Sequence, residues 1–457
     1  MRRIFFLLIA IIFAGNVHVL VTGCGTIMAP TGGPRDSLPP KLLNAVPANG
    51  TLNFTGKKIT LNFDEYVQLG ELQQNLLVSP TPKMTPYIDY KLKSVTIKLR
   101  DTLEPNTTYV INLGNAIRDL NEGNIFKNFS YVFSTGSFID SLEYSGQVTL
   151  AETGKIDTTL IVMLYKNTTD SAVQKLKPNY IARLDGAGKF SFHYLSGGTY
   201  RVYALQDLNG SRTYNDKKAL FAFSSKPVVV NSNTRPDTLY AYTEQKTLEK
   251  VPVADKKLKY TTRVPQESQD ILSNLTVTFN KPLKNFETEK IILADTLNVT
   301  DPLANITIDS SRKKITIKKQ WKENETYKLI LPKTLSDSGG NTLAKSDTIR
   351  FKTRKESDYG SLTINFTNLR GIKNPVLILV GNGETSYYPV TSMQWSRKLF
   401  IPGEYEVRLL NDENNNGFWD PGNFATKKQP EKEISISKKI SVRGGGWENE
   451  VDIDAGK

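Results

Sequence analysis

A polar loop near the C-terminus has the residue types and spacing of a cation site. Residues 412–420 read Asp-Glu-Asn-Asn-Asn-Gly-Phe-Trp-Asp, and the oxygen-bearing side chains at alternate positions are Asp412, Asn414, Asn416 and Asp420. Oxygens spaced in this way, with a glycine at the turn, can converge on one calcium ion. Only two are carboxylates, and Asn423 stands where a bidentate glutamate would strengthen the site, so we expect weak binding. The alternative is a wide turn in which the same side chains bond their own backbone.

Trp419 lies inside this loop, and we expect it to be the most exposed aromatic ring of the region. An exposed ring offers a large flat contact surface, so Trp419 is a candidate for stacking against a sugar. Other aromatic residues crowd the same part of the chain, namely Trp395, Phe418 and Trp447. The alternative is that these rings pack in a core or between domains.

The chain offers few other residues for catalysis. Only two histidines occur, and His193 lies in the alternating run 189–194, a pattern typical of a strand with one exposed face. The sequence contains no Gly-x-Ser-x-Gly, no His-Glu-x-x-His and no phosphate-binding loop. A pair of carboxylates could still hydrolyse a glycoside, but that chemistry needs a cleft. Small domains leave little chain for one, so we predict that the protein is not an enzyme.

The only cysteine, Cys24, follows an apolar segment at the N-terminus. Arg2 and Arg3 precede an apolar run at 4–13, and the cysteine ends the sequence Val-Thr-Gly-Cys. A positively charged start, an apolar stretch and small residues at the cleavage site are the features of a secretory signal peptide. The run is shorter than the ~20 apolar residues that a membrane span needs.

The Val-Thr-Gly-Cys ending resembles the lipobox of bacterial lipoproteins. The resemblance implies a signal peptide at 1–23 and a mature N-terminus at Cys24, whose palmitate-type acyl chains would anchor the protein in a membrane. Residues 24–37, rich in Pro and Gly, would form a lipidated tether. An ordinary signal peptide or a short anchor with an unrelated cysteine is the alternative. Because Gly25 and Thr26 follow the cysteine instead of an aspartate, we expect the outer membrane, with the protein facing the periplasm.

The positive charge of the chain does not indicate a nucleic-acid partner. The formal net charge is +13, and the lysines are scattered among predicted strands and turns. Lysines at strand edges prevent unwanted pairing between sheets. Since no recognition motif accompanies them, we expect no nucleic acid.

Two segments of the chain repeat one another. Short alternating runs of Val, Ile, Thr, Tyr and Phe between turn residues predict β-sandwiches. Ile-x-Leu-x-Phe at 59–63 matches Leu-x-Val-x-Phe at 275–279, and Asn-x-Thr-Tyr at 106–109 recurs 218 residues later, at 324–327. The offset of 218 residues also aligns two residues of another predicted strand: Ile97 aligns with Ile315, and Leu99 aligns with Ile317.

Each copy also has a late polar turn, which begins at Asp119 in the first and at Asp337 in the second and contains Gly-Asn. Segments 38–137 and 252–355 resemble the bacterial Ig-like domain of the SbsA type. That family commonly has a proline-rich opening, a strand ending in Phe, an Asn-x-Thr-Tyr strand and a turn with Asp, Gly and Asn. The resemblance implies two Ig-like sandwiches.

The remaining segments also form a pair. Gly-x-Tyr-x-Val at 198–202 recurs 205 residues later, at 403–407, and each copy leads into a polar loop that begins with aspartate. Segments 143–245 and 357–456 resemble the small transthyretin-like or carboxypeptidase-regulatory-like sandwich, in which this motif is a recurring late strand.

These observations predict an all-β chain in which Ig-like and transthyretin-like sandwiches alternate in tandem after a lipoprotein signal peptide. We expect a non-enzymatic cell-envelope lipoprotein that acts as a structural, spacer or protein-interaction module, with another envelope protein as partner. The alternative is a carbohydrate-binding lipoprotein that presents a glycan to an envelope partner.

Overall fold

The structure, a computed structural model, describes residues 36–245, 257–264, 266–297, 299–300 and 304–456. The predicted signal peptide and lipidated Cys24 lie outside these residues. In the described part nearly all regular secondary structure is β-strand, so the predicted all-β fold is confirmed. No helix there is long and apolar enough to cross a bilayer. The chain divides into two compact units, at 1–139 and 140–457.

The first unit contains sandwich 1. Its strands are β1 (Leu42–Val46), β2 (Lys58–Phe63), β3 (Val67–Leu69), β4 (Leu77–Ser79), β5 (Tyr87–Lys91), β6 (Ser94–Lys98), β7 (Thr108–Gly114), β8 (Ile117–Asp119), β9 (Ile125–Phe126) and β10 (Phe129–Ser134), with one helical turn, α1 (Leu72–Asn75). The strand orders of its sheets are β1-β2-β6-β5, β10-β7-β4 and β3-β8-β9. Alternate residues of β2 and β7 are buried in one core, as the two-residue period of a strand requires.

The second unit begins with sandwich 2. Its strands are β11 (Leu142–Leu150), β12 (Leu160–Tyr165), β13 (Tyr180–Arg183), β14 (Lys189–Leu195), β15 (Gly198–Gln206), β16 (Phe221–Phe223), β17 (Val228–Val230) and β18 (Asp237–Ala241), with one helical turn, α2 (Ala172–Lys175). One sheet has the order β14-β11-β18 and the other β13-β12-β15-β16, with β17 also paired to β15.

Sandwich 3 repeats the strand pairing of sandwich 1. Its strands are β19 (Tyr260–Thr261), β20 (Leu275–Phe279), β21 (Leu283–Asn285), β22 (Ile292–Ala294), β23 (Asn305–Ile308), β24 (Lys314–Lys318), β25 (Thr326–Leu331), β26 (Ser336–Asp337) and β27 (Asp347–Lys352), with a 3-10 turn at Thr288–Lys290. The sheets have the orders β19-β20-β24-β23, β22-β25-β27 and β21-β26.

The pairing of β6 and β24 corrects one detail of the sequence alignment. In sandwich 1, Ile59 pairs with Ile97, and in sandwich 3 the counterpart Leu275 pairs with Ile317. The alignment of Ile97 with Ile315 is therefore wrong by two residues. A shift of two leaves every side chain on the same face, so the hydrophobic pattern does not reveal it.

Sandwich 4 repeats the pairing of sandwich 2. Its strands are β28 (Gly360–Thr367), β29 (Val376–Gly381), β30 (Glu384–Pro389), β31 (Gln394–Phe400), β32 (Gly403–Asn411), β33 (Lys432–Val442) and β34 (Glu448–Asp454), after a 3-10 turn at Glu356–Asp358. The sheets have the orders β31-β28-β34 and β30-β29-β32-β33. In both sandwiches the first strand pairs in parallel with the last, β11 with β18 and β28 with β34. Their assignment as transthyretin-like stays a prediction.

Candidate functional site

Asp412 holds the polar loop between β32 and β33 together. It is 1% exposed, and its carboxylate accepts three backbone N–H groups of the loop. Oδ1 accepts from Asn415 at 2.6 Å and from Asn416 at 3.3 Å, while Oδ2 accepts from Gly417 at 2.7 Å. A buried carboxylate needs such donors, and these are the bonds expected of the wide turn.

The structure brings the other predicted calcium ligands to the same place. Asn414 and Asn416 both donate from Nδ2 to Oδ2 of Asp420, whose Oδ2 also lies 3.5 Å from Nζ of Lys428. The amide oxygens of the two asparagines accept N–H groups of Asn416 and Phe418. Within the described ranges, no three His, Cys, Asp or Glu side chains form a group that could hold a metal ion. Calcium binding at this loop stays a prediction.

Glu431 completes the loop, and sequence reasoning missed it. Its buried carboxylate accepts the N–H of Glu413 at 2.9 Å and the N–H of Asp420 at 3.0 Å. Burial raises its pKa, and the nearby charges of Asp412 and Asp420 raise it further, against the effect of the two backbone bonds. Because Glu431 stands eleven residues beyond Asp420, no local spacing indicates its role.

Trp419 is half-buried, which corrects the expectation that it is the exposed ring. Its Nε1 donates to the carbonyl of Glu431 at 2.8 Å, and the ring packs against apolar clusters of both sandwich 2 and sandwich 4. Phe418 is exposed instead, at 61%, and its ring lies 5.4 Å from that of Tyr387. Sugar binding by Trp419 stays a prediction, and Phe418 is the more accessible ring.

The loop continues into sandwich 2 through Phe424. This ring is 5% exposed and lies edge-on, with centroids 5.2–6.0 Å apart, against four rings of that sandwich: Tyr203, Tyr214, Phe221 and Phe223. Its N–H donates to Oε1 of Glu244 at 3.0 Å, and Gln429 donates to the carbonyl of Phe223. We call the surface where sandwiches 2 and 4 meet the seam.

A buried ion pair forms the other part of the seam. Arg408 on β32 donates from Nε to Glu406 at 2.8 Å and from Nη1 to Glu433 at 3.2 Å. Nη1 also donates to the carbonyl of Glu152 in sandwich 2. Burial opposes the charge of Arg408, but the bonds and attraction from both glutamates outweigh it and raise its pKa.

The structure also brings together three residues in the order of a hydrolase triad. Ser191 Oγ lies 2.9 Å from Nε2 of His193, and Nδ1 of that ring lies 2.7 Å from Oε1 of Glu143. The His193 and Glu143 side chains are 54% and 64% exposed on the outer face of a sheet. A working triad has a buried acid and an oxyanion site, so this exposed chain of bonds does not favour an enzyme.

Comparison with known proteins finds a family that two of the four sandwiches resemble. Residues 36–135 and 255–353 match the profile of a family described as the bacterial Ig-like domain. These segments contain the strands of sandwiches 1 and 3, which are therefore similar to bacterial Ig-like domains. No curated protein matches the chain.

Several solved structures are similar at low identity. The major pilin subunit BcpA of Bacillus cereus is 10% identical, over 68% of this chain and 99% of that chain, with a TM-score of 0.18. The TIE protein of Bacillus anthracis is 10% identical, over 93% and 76%, with a TM-score of 0.17. The N-terminal part of the bacterial S-layer protein SbsC is 15% identical, over 43% and 42%, with a TM-score of 0.16.

Proposed function

We propose that the protein is a non-enzymatic lipoprotein of the bacterial cell envelope, anchored through lipidated Cys24 in the outer membrane and facing the periplasm. Its sandwiches act as a spacer and as a protein-interaction module. The observation that carries the proposal is the seam, where Phe424 and Arg408 join sandwich 2 to sandwich 4. A spacer that must keep a fixed shape needs such a joint.

The composition of the seam supports a rigid joint. Contacts between domains of one chain are by default small and polar, and they permit relative motion. Phe424 instead buries its ring among aromatic residues, which contributes about 1.5–3 kcal/mol from burial. Each edge-to-face contact adds about 0.5–1.5 kcal/mol. Separating the two sandwiches would expose this ring to water. It would also expose part of the buried ion pair between Arg408 and Glu433.

The anchor is tested by labelling cells with an alkyne analogue of palmitate. The unmodified protein is expected to carry the label and to sediment with outer membranes. Cys24→Ser is expected to lose both properties. Crosslinking in the same envelopes, followed by gentle solubilisation, then identifies the partner. An unlabelled protein in the soluble fraction would contradict the anchor, and a chain that crosslinks to no protein would contradict the interaction role.

Carbohydrate binding is the second candidate, because one observation favours it. A cavity of about 370 Å³ opens at the seam, and aromatic and polar side chains line it together, among them Tyr214, Phe424, Gln174 and Asn215. Tyr214 and Phe424 are 3% and 5% exposed, so the amide side chains would carry the contact, through hydrogen bonds to the hydroxyl groups of the sugar. A glycan array tests this candidate, with Gln174→Ala as the variant expected to lose the signal and Phe418→Ala as the test of the exposed ring.

The calcium hypothesis has a separate test. Calorimetric titration of the purified protein with calcium would show weak binding, and Asp420→Asn would abolish it because one of two carboxylates is lost. Absence of heat from the unmodified protein would leave the wide turn as the role of the loop.

A further inference from the structure

Three large apolar side chains are exposed together at one end of sandwich 1. Tyr66, Leu92 and Leu120 are 47%, 64% and 50% exposed. Backbone bonds hold them side by side: the N–H of Val67 donates to the carbonyl of Leu92 at 3.0 Å, and the N–H of Leu120 donates to the carbonyl of Tyr66 at 3.0 Å. We call these three residues the apolar patch. Single exposed leucines are common on protein surfaces, but a contiguous group needs an explanation.

The duplicated domain shows that the fold does not require an apolar residue at position 92. In sandwich 3 the N–H of Leu283 donates to the carbonyl of Arg312 at 2.8 Å, which is the bond that Val67 makes with Leu92 in sandwich 1. Arg312 is therefore the counterpart of Leu92, and it is exposed as well.

The other two positions of the patch also differ in sandwich 3. Tyr66 corresponds to Pro282, because each directly precedes the strand that makes this bond, β3 or β21. Leu120 corresponds to Ser338, because each directly follows the buried aspartate of the late turn. The same three exposed positions therefore carry a tyrosine and two leucines in sandwich 1, and a proline, an arginine and a serine in sandwich 3.

The patch lies at the end of sandwich 1 where the chain enters it. Asn124 donates from Nδ2 to the carbonyl of Asp36 at 3.1 Å, and Asn124 belongs to the same turn as Leu120. Asp36 follows Cys24 by twelve residues, which span at most about 40 Å even when fully extended. An acyl anchor on Cys24 therefore keeps this end of the sandwich close to a bilayer.

We propose that the apolar patch seats sandwich 1 on the surface of the lipid bilayer in which Cys24 is anchored. The inference rests on the proposed lipid anchor and adds the face of the protein that touches the membrane. A lipid surface is favoured over a protein partner because the patch stands where the anchored chain enters and is missing from the matching positions of sandwich 3.

Each residue of the patch has a place at such a surface. The two leucines enter the boundary between headgroups and acyl chains, and Tyr66 lies at the level of the headgroups, where tyrosine is enriched. Nζ of Lys93 lies 5.7 Å from the centre of the Tyr66 ring. A lysine in this position covers the ring with its stem and keeps its charge among the headgroups.

The charges at this end of the sandwich favour a zwitterionic lipid. Burial raises the pKa of Glu65, and four neighbouring carboxylates raise it further, those of Asp119, Asp64, Asp36 and Glu122. Lys91 and Lys93, on either side of Leu92 in the chain, carry the opposite charge. Since charges of both signs meet here, we expect the patch to bind phosphatidylcholine without any need for anionic lipid.

The test uses the lipidated protein in phosphatidylcholine vesicles, with an environment-sensitive fluorophore on an added cysteine. Acylation blocks Cys24, the only native cysteine, so the added thiol is the one that reacts. Lys91→Cys places the probe beside the patch, and Ser311→Cys places it at an exposed position of the matching hairpin of sandwich 3. We expect lipid that carries a nitroxide to quench the probe at 91 and to leave the probe at 311 unchanged.

A variant with the residues of sandwich 3 tests the patch itself. Leu92→Arg combined with Leu120→Ser introduces the counterpart side chains, and it is expected to fold because Arg312 in that position donates from Nε to a strand carbonyl. Quenching at position 91 should be lost, while the protein should still float with the vesicles through its acyl chains. Leu52→Arg is the matched control: it replaces an exposed leucine of the same sandwich outside the patch and should leave quenching intact.

The outcomes separate the patch from the anchor. If the protein floats with the vesicles but the probes at 91 and 311 are quenched equally or not at all, the inference is wrong and the anchor stands. Persistent quenching in the folded double variant would also refute the patch. If the purified protein carries no acyl chain, the anchor and the inference both fail. A blue shift at 91 without quenching would mean that a second copy of the chain covers the patch, which overturns the lipid assignment.

Discussion

Three buried aspartates perform the same task in three different domains. Asp119, Asp337 and Asp412 are each at most 2% exposed, and each carboxylate accepts backbone N–H groups from the residues that follow it. The short side chain of Asp reaches amides two to five residues ahead, and its charge strengthens each bond. The polar turns of this chain are therefore held from inside by a carboxylate.

Asp337→Asn is expected to remove part of the acid sensitivity of sandwich 3. Bonds from Asn341 and the charge of Lys281 lower the pKa of Asp337 to about 2, from an ordinary value of 3.8. The folded state therefore gains from the charged form above the ordinary value, and this gain is lost as pH falls from about 4 to about 2. Urea unfolding, followed through the hydrogen exchange of peptides from β25, measures the free energy of unfolding of parent and variant at each pH. A constant difference between parent and variant from pH 5 to pH 2 would contradict this.

Asp412→Ala is expected to destabilise sandwich 4 by about 2–3 kcal/mol, because three N–H groups of the loop lose a charged acceptor. Glu413→Ala is the matched control, since that side chain is exposed in the same loop, and it should change stability by less than about 0.5 kcal/mol. The measurement is the midpoint of urea-induced unfolding, compared between the two variants. Equal midpoints would show that Asp412 does not hold the loop.

At the scale of elements, the late strands β15 and β32 both begin at a glycine in an unusual conformation. Gly198 has φ +153° and Gly403 has φ +151°, values that side chains with a Cβ rarely adopt. The tyrosine two residues on donates its hydroxyl to a carbonyl four residues back, at 2.8 Å in both copies. The repeated motif Gly-x-Tyr therefore specifies a sharp change of chain direction at the start of the strand, together with the hydrogen bond that fixes it.

Alanine at the two glycines is expected to have unequal effects. Both substitutions incur the backbone strain, about 1 kcal/mol or more. At Gly403 a Cβ would also lie 2.7 Å from Oδ1 of Asn382, whereas at Gly198 the nearest atom is 3.8 Å away, on Tyr200. Gly403→Ala should thus lower the free energy of unfolding more than Gly198→Ala. Equal losses would mean that Asn382 moves aside without cost.

The sequence predicts the strands well because each strand carries its own two-residue pattern. The pattern at 59–63 marks β2 and its buried face, but it could not reveal the two-residue shift between β6 and β24. The spacing at 412–420 likewise predicts a polar loop. It does not contain Glu431 or Phe424, whose roles depend on contacts formed only in the folded chain.

At the scale of the second unit, the duplicated loops meet at the seam. Tyr214 follows Asp207 by seven residues and Trp419 follows Asp412 by seven, so the two rings hold equivalent positions 205 residues apart. Both belong to or border the aromatic cluster that receives Phe424. The two equivalent loops thus each contribute an aromatic ring to the seam, and Phe424 of the second loop packs in the same cluster.

Phe424→Ala is expected to uncouple sandwich 2 from sandwich 4. Removing the ring opens a cavity among four aromatic residues, at a cost of about 3–5 kcal/mol. The lost packing energy belongs to the seam and not to the core of either sandwich. In calorimetry, the unfolding transition that sandwiches 2 and 4 share should therefore separate into two. Phe418→Ala is the matched control, because its ring is exposed six residues earlier in the same loop and should leave the transition single. If Phe424→Ala also unfolds in one step at the parent midpoint, the seam is not the joint that a rigid spacer requires.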